Sequence, residues 1–385
     1  MRRLRTLSSR RLTAIVAAVV VLAATAAIAQ AGLIGAGPKP EPKALDRALL
    51  DAANAPTVNG VSARIAFKNG LLPSGALPNN RTSPLVQGAD GRLWVTGDGR
   101  FRLELQSEAG DAQVSSDGQT LSVYDTSSKT VYRVAMPEQR SRPQKAEPTT
   151  LADVRRGLDE LARAWTLSGA KPTSTAGRPT YTVRIAPKDD GGLLGAAELA
   201  WDAARGVPLR AAIYAQGQSS PVLELKATKI AYGKIAAKDV QATPPKGAKV
   251  VEVNPAQGTD AHGKPTTVQG LADVQKHVPF TIAAPDTLAG LPRHEVSLVR
   301  SGDENGALVT YGKGLGQILV FQHKADAKNG KTTLRLPTVN IDGATGTELA
   351  TSLGTILTVD RGGVSYVVAG SVPPLAAENA ARGLK

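Results

Sequence analysis

From Gly91 to Tyr132 apolar and polar residues alternate in short runs, each closed by Gly, Asp or Ser. Leu93-Trp94-Val95 is one run. Arg100–Leu105 is a second, with Phe101, Leu103 and Leu105 on one side and Arg100, Arg102 and Glu104 on the other. Gln113-Val114 leads into the turn Ser116-Asp117-Gly118, and Leu121–Tyr124 and Thr130–Val134 follow on either side of the turn Asp125–Lys129. A period of two punctuated by Asp-Gly predicts an antiparallel meander with one dry and one wet face. Upstream, Val58–Phe67 sets Val61, Ala63, Ile65 and Phe67 on one face of another strand. Downstream, Tyr181–Ala186, Leu194–Asp202, Pro208–Tyr214 and Val222–Tyr232 predict four more.

Helical spacing interrupts this pattern twice. Leu45, Leu49 and Leu50 lie on one stripe of a short helix over Ala44–Ala53. Thr149 is placed to cap a longer one through Leu151, Val154, Leu158, Leu161, Ala162 and Trp165. Asn69–Pro84 and Met136–Pro148 are polar and Pro-bearing, and predict loops. Residues 57–232 thus carry about nine strands around one inserted helix, an arrangement that wraps a curved sheet over few helices. The concave face of such a sheet cannot be filled by those helices alone, which leaves room for an apolar cavity.

The chain ends follow other plans. Arg2, Arg3, Arg5, Arg10 and Arg11 precede the apolar run Leu12–Ala29, and no charge appears before Lys39. This predicts an export leader over residues 1–31, either cleaved near Ala29 or retained as a membrane anchor through about residue 34. Both place the remainder outside the cytoplasm, in a secreted, periplasm-like or cell-envelope space. Residues 32–43 form a Pro-rich spacer. Thr243–Thr267 predicts a linker with one short strand at Val250–Val253. Gly270–Gly383 predicts a small α+β domain: a helix at Leu271–Val278 and strands at Glu295–Arg300, Ala307–Tyr311, Gln317–His323, Lys331–Leu336, Ile356–Asp360 and Val364–Val368. A last helix starts at Pro374.

Composition narrows the chemistry. The 385 residues are 42% hydrophobic and 21% charged, ordinary for globular domains, and include no cysteine. Disulfides, thiolate metal sites and a cysteine nucleophile are therefore excluded. The four histidines, His262, His277, His294 and His323, stand singly with no metal-ligand spacing, and no cofactor is expected. The formal charge of +13 includes the leader arginines, and the rest of the chain remains basic. That balance suits an anionic membrane surface or an acidic partner, whereas no basic stripe interleaved with stacking aromatics points to nucleic acid. Gly258–Lys264 has the G-x4-G-K spacing of a phosphate loop, but Pro265 stands where a hydroxyl and a backbone N–H are needed. Asp189-Asp190 and Asp303-Glu304 lie in polar turns, and no G-x-S-x-G elbow accompanies the serines. No enzyme is expected.

Several of these pieces together resemble the LolA-like superfamily of exported lipoprotein carriers and their relatives. They are the leader, the helix before Val61–Phe67, Gly91-Arg-Leu-Trp-Val95, Arg100–Glu104, Ser116–Asp125 with its D-G-x-T-L-x-x-Y-D run, and Val131-Tyr132. Ala176–Ala248 looks like the second half of the same family. The likeness covers roughly residues 42–250. It implies a half-open β-barrel closed by helices over a cavity for acyl chains. One position departs: where the outer-membrane carriers have a lid-latching arginine after the L-W-V run, this chain has Gly97. The C-terminal part, with Val278-Pro-Phe280, Pro285 and Tyr366–Gly370, looks like the second domain of RseB/MucB-type sigma-factor regulators.

The expectation is therefore an α+β protein: a strongly curved antiparallel half-barrel over residues 44–250, a linker over 251–269 and a smaller α+β domain over 270–385. Val61, Ala63, Ile65, Phe67, Leu93, Val95, Phe101, Leu103, Leu105, Val123 and Val131 are expected to line the cavity. Trp94, Arg100, Arg102 and Tyr124 are expected on the opposite face or at edges. Two functions fit: a carrier or chaperone for lipid or lipoprotein acyl chains, and a sensor acting on a membrane-anchored partner such as an anti-sigma factor. Lipid or acyl chains, a membrane surface or a membrane-anchored protein are the expected partners, and nucleic acid is not.

Overall fold

The computed structural model describes residues 37–72, 83–108, 110–126, 129–136, 148–188, 192–241, 246–253, 268–301, 304–325 and 336–384. The export leader, most of the two predicted loops, the G-x4-G-K segment Gly258–Lys264, Asp189-Asp190 and all but the last residue of the strand expected at Lys331–Leu336 lie outside the described residues. The chain divides into two compact units, the first built from residues up to 70, 79–189 and 195–254, the second mainly from 255 onward.

In chain order the first unit contains α1 (Leu45–Ala53), β1 (Gly60–Asn69), α2 (Pro84–Gln87), β2 (Gly88–Thr96), β3 (Phe101–Ser107), β4 (Gly110–Ser116), β5 (Thr120–Asp125) and β6 (Thr130–Ala135). Then come α3 (Leu151–Leu161), β7 (Trp165–Leu167), β8 (Lys171–Thr175), β9 (Arg178–Pro187), β10 (Leu194–Asp202), β11 (Pro208–Ala215), β12 (Leu223–Tyr232), α4 (Ala237–Val240) and β13 (Lys249–Val253). All thirteen strands join one open sheet in the order β13-β6-β5-β4-β3-β2-β1-β12-β11-β10-β9-β7, with β8 also paired to β9. The meander from β1 to β6 is antiparallel throughout. An open sheet this wide curls because strand twist accumulates, and the result is the α+β half-barrel.

Several details depart from the expectation: residues 57–232 hold twelve strands rather than about nine, β8 among those not expected. Thr150, not Thr149, caps α3: its hydroxyl accepts from Asp153 N while Asp153 accepts from Thr150 N, a reciprocal box. Thr149 is instead held by Asn54, whose side chain bonds both its N–H and its carbonyl. The helix ends at Leu161, and Trp165 begins a strand because Ala162–Ala164 turn the chain onto the edge of β9. The strand read as part of a linker is β13, which pairs in parallel with β6 and belongs to the sheet.

The second unit holds α5 (Leu271–Gln275), β14 (Thr287–Leu288), β15 (Leu291–Ser301), β16 (Glu304–Tyr311), β17 (Ile318–Lys324), β18 (Thr338–Ile341), β19 (Ala344–Thr351), β20 (Gly354–Arg361), β21 (Val364–Gly370) and α6 (Pro374–Gly383). Its eight strands run β14-β15-β16-β17-β21-β20-β19-β18. One face packs Val309, Val320, Leu357 and Val368 against Ala377, Ala380 and Ala381 of α6. Small residues on α6 let the helix lie close to the sheet. Gln322, fully buried, is satisfied by donating to Ala283 O and accepting from Ala283 N. The hairpin β18–β19 was not anticipated, since its Thr, Gly and Ala residues carry little apolar alternation.

Candidate ligand-binding face

Register fixes which side chains share a face, because directly opposed residues of neighbouring strands point the same way. One row across the meander reads Ala63, Leu93, Leu103, Val114, Val123 and Tyr132. The row on one side reads Val61, Val95, Phe101, Ser116, Leu121 and Val134. On the other side Phe67 opposes Ala89, while Gly91 links Ile65 to Leu105 and Leu105 opposes Ala112. On the far side of β1, Ile65 opposes Ala227 and Phe67 opposes Leu225. Ten of the eleven predicted lining residues therefore fall on one continuous face, on which Ser116 is the polar interruption in the central rows.

Val131 is the correction. It stands opposite Tyr124, in the row of Gln113, Glu104, Arg92 and Arg64, on the other side of the sheet. The turn between β5 and β6 sets Tyr132, not Val131, across from Val123. Val131 is nonetheless buried on its own side, whereas Tyr132 is 43% exposed on the apolar face. Trp94, Arg102 and Tyr124 do lie on the opposite face, as expected.

Burial along the apolar face is graded. Ile65, Phe67 and Leu105 are closed off. At that end α2 contacts β1 through β4, and Asn69 donates to Leu85 O at 3.0 Å. Ser83 caps α2 by accepting from Leu85 N. Leu93, Val95, Phe101, Leu121, Val123 and Val134 remain only half-buried. The face is thus sealed at the α2 end and open toward Val95, Phe101 and Leu121. Farther along the sheet α1 packs Leu45, Ala48 and Leu49 onto Tyr181, Val183 and Trp201. Tyr181 and Trp201 stack obliquely at 6.1 Å, and the Tyr181 hydroxyl donates to Glu41 O at 2.5 Å. Asp46 of α1 pairs with Arg155 of α3 at 2.8 Å. The turn after β10 brings Gly206, at φ 65°, against Ala52 at the end of α1.

The other face is charged. Arg184, Glu198, Arg210 and Glu224 form a ladder across β9, β10, β11 and β12, with contacts of 3.0, 2.7 and 2.5 Å. The Tyr214 hydroxyl donates to Glu198 at 2.8 Å. Burial alone would push the Glu198 carboxyl up, but hydrogen bonds from Arg210, Tyr214 and Arg184 outweigh it and hold it below its usual value. A second group joins Asp202, nearly inaccessible, to Tyr232 at 2.7 Å and Arg178 at 3.0 Å, with Arg205 over the Tyr232 ring at 4.6 Å. Burial and the bond to Asp202 drive the Tyr232 hydroxyl upward. The ladder lies on the charged face, whereas Tyr232 opposes Val61 and so stands at the margin of the apolar one; both groups tie strands together. Among the described residues no group of His, Asp and Glu is arranged to hold a metal, and no helix is long and apolar enough to cross a membrane.

The strands of this face were legible in the sequence, but Tyr132, Leu121 and Val134 were not assigned to it. The signal available was the parity of the Asp125–Lys129 turn, whose length decides which residue of β6 meets Val123.

No protein-family model and no curated protein matches the chain. Solved structures do. A crystal structure of MucB in complex with MucA(peri) is 18% identical and covers 89% of this chain and 98% of that one, with a TM-score of 0.44. The MucA/MucB complex of Pseudomonas aeruginosa gives 19% identity, 88% and 96% coverage and a TM-score of 0.44. A LolA superfamily protein from Nitrosomonas europaea gives 12% identity, 52% and 98% coverage and a TM-score of 0.21. The matches to the MucB structures extend over most of the chain, and that to the LolA superfamily protein over about half of it.

Proposed function

We propose that the first unit binds the acyl chains of a lipid or lipoprotein on its apolar face and acts as an exported carrier or chaperone, by binding rather than by catalysis. The observation that carries this reading is the half-buried state of Leu93, Val95, Phe101, Leu121 and Val123, which share one continuous apolar face. Apolar side chains left half in water gain about 25 cal/mol for each Å² that a hydrocarbon partner covers. An extended acyl chain offers such cover along the row from Val95 to Val134 without needing polar partners, and that row offers it only Ser116.

The test is native mass spectrometry and lipid extraction of the exported chain purified from its own cells, followed by competition with a fluorescent fatty acid. Co-purifying lipid, or fatty-acid binding lost in Leu93→Asp, supports the carrier reading. A lipid-free protein that binds no acyl probe overturns it. One of the MucB structures is a complex with MucA(peri); a regulatory role toward a membrane-anchored protein would then stand in its place, and capture of such a partner by the lipid-free chain would establish it.

A further inference from the structure

A polar cleft of about 410 Å³ lies mainly on the face opposite the apolar one, beside Val240 and Gln241 at the end of α4, which contacts β2 and β3. That volume falls in the range of small-ligand sites, roughly 300–1,000 Å³. Its floor follows from register. Arg102 opposes Ser115, Ser115 opposes Ser122, Ser122 opposes Arg133 and Arg133 opposes Glu252. Two adjacent serines between two arginines leave a trough in a row otherwise filled by long side chains. Arg102 is held away from it, bonded to Gln241 O at 3.3 Å and to Glu104. Arg133 and Arg100 remain as the cations lining the cleft.

The donors there are underused. Among the described residues the hydroxyls of Ser115, Thr120 and Ser122 make no hydrogen bond. Among the described residues Arg100 commits only Nε, to Asp98 at 3.0 Å. Arg133 approaches Glu252 at 3.6 Å, beyond a hydrogen bond, and Glu252 is mostly in solvent. The other carboxylate, Asp117, accepts through Oδ1 from Gln119 N and Thr120 N at 2.8 and 2.7 Å; these bonds, and more weakly the charge of Arg133, hold its pKa below the usual value. Among the described residues no aromatic ring lines the cleft, so these residues offer a sugar or base no surface to stack on.

The geometry points to a phosphate-binding site: guanidinium forks of Arg100 and Arg133 above, with hydroxyls of Ser115, Thr120 and Ser122 below. Arginine forks match phosphate oxygens two at a time, and a phosphate displaces the loose Glu252 contact. The same phosphate chemistry is offered by a phospholipid headgroup and by a free phosphate or phosphomonoester.

The experiment titrates the purified chain with inorganic phosphate and with glycerol 3-phosphate by calorimetry, and floats it with vesicles of phosphatidylglycerol and phosphatidylcholine or of phosphatidylcholine alone. The variants are Arg133→Gln, Arg100→Gln and Ser122→Val, with Lys229→Gln as a control on the same face outside the cleft. Saturable phosphate binding that weakens tenfold or more in the cleft variants and not in Lys229→Gln establishes the site. Binding to phosphatidylglycerol vesicles with the same variant pattern identifies a headgroup, and binding to soluble phosphates alone identifies a free one. No saturable binding in either arm, or equal weakening by Lys229→Gln, overturns the proposal. Loss of the apolar-face ligand would leave these results unchanged, because the two sites lie on opposite sides of the sheet.

Discussion

Arg210 and Glu198 meet at 2.7 Å across β10 and β11, with both side chains more than four-fifths buried. Removing one partner strands the other in a poorly hydrated place. Glu198→Ala is expected to cost about 2–3 kcal/mol, since Arg210 keeps Glu224 at 2.5 Å as a remaining partner. Urea unfolding followed by tryptophan fluorescence measures it, and a loss under about 0.5 kcal/mol would place the ladder among ordinary surface pairs.

The same carboxylate sets an acid limb. Its folded pKa is depressed, so its stabilisation is present above the unfolded value of about 4.3 and is lost as pH falls through the folded one. Glu198→Gln is expected to flatten the fall in melting temperature below about pH 4.

Glu348 on β19 behaves in the opposite sense. Burial first, and then the charge of Glu378 on α6, raise its pKa, and its Oε2 has no partner among the described residues. A raised carboxyl is favoured below the unfolded pKa of about 4.3, and its contribution is lost as pH rises through the folded value. Glu348→Gln should therefore stabilise the second unit by about 1 kcal/mol at pH 7, with the gain vanishing below about pH 4. Calorimetric scans at the two pH values check the sign.

Phe67 and Phe101 share a face but not an environment. Phe67 is 1% exposed beneath the α2 end, and Phe101 is half-buried at the open end. Phe67→Ala is expected to cost about 3–5 kcal/mol, and Phe101→Ala about 1 kcal/mol while lowering acyl-probe affinity severalfold. Equal stability losses would show that the open end is closed in solution.

Much of this architecture is legible in the sequence because period-two alternation and Asp-Gly turns are local signals. They placed β1 to β6 and the face shared by Phe101, Leu103 and Leu105. What local signals do not carry is the parity of a turn. Five residues between Val123 and Lys129 decide whether Val131 or Tyr132 faces Leu103's row, and the register selects Tyr132. Nor does a five-residue run such as Lys249–Val253 show that it pairs with a strand more than a hundred positions earlier. The charged ladder needed the same long-range knowledge: Arg184, Glu198, Arg210 and Glu224 look like ordinary polar-face positions until four strands lie side by side.

Val131 and Tyr132 test that register directly. Val131→Asp buries an unpaired carboxylate and should cost about 3 kcal/mol or more, whereas Tyr132→Asp should cost under about 1 kcal/mol. The reverse order would mean that β6 is shifted by one residue.

Gly206 couples α1 to the sheet. A Cβ there would lie 2.4 Å from Ala52 O, on a backbone at φ 65°. Gly206→Ala should destabilise by about 2 kcal/mol and loosen α1 first, seen as faster amide exchange over Leu45–Ala53 than over β9 and β10.

The parallel strand β13 occupies the outermost position of its sheet and is also the last strand of its unit in the chain. It can therefore be peeled from β6 without disturbing any other strand pair. Its five residues, drawn out, span about 17 Å. The strength of five backbone pairings alone therefore sets how readily the last strand of this unit comes away.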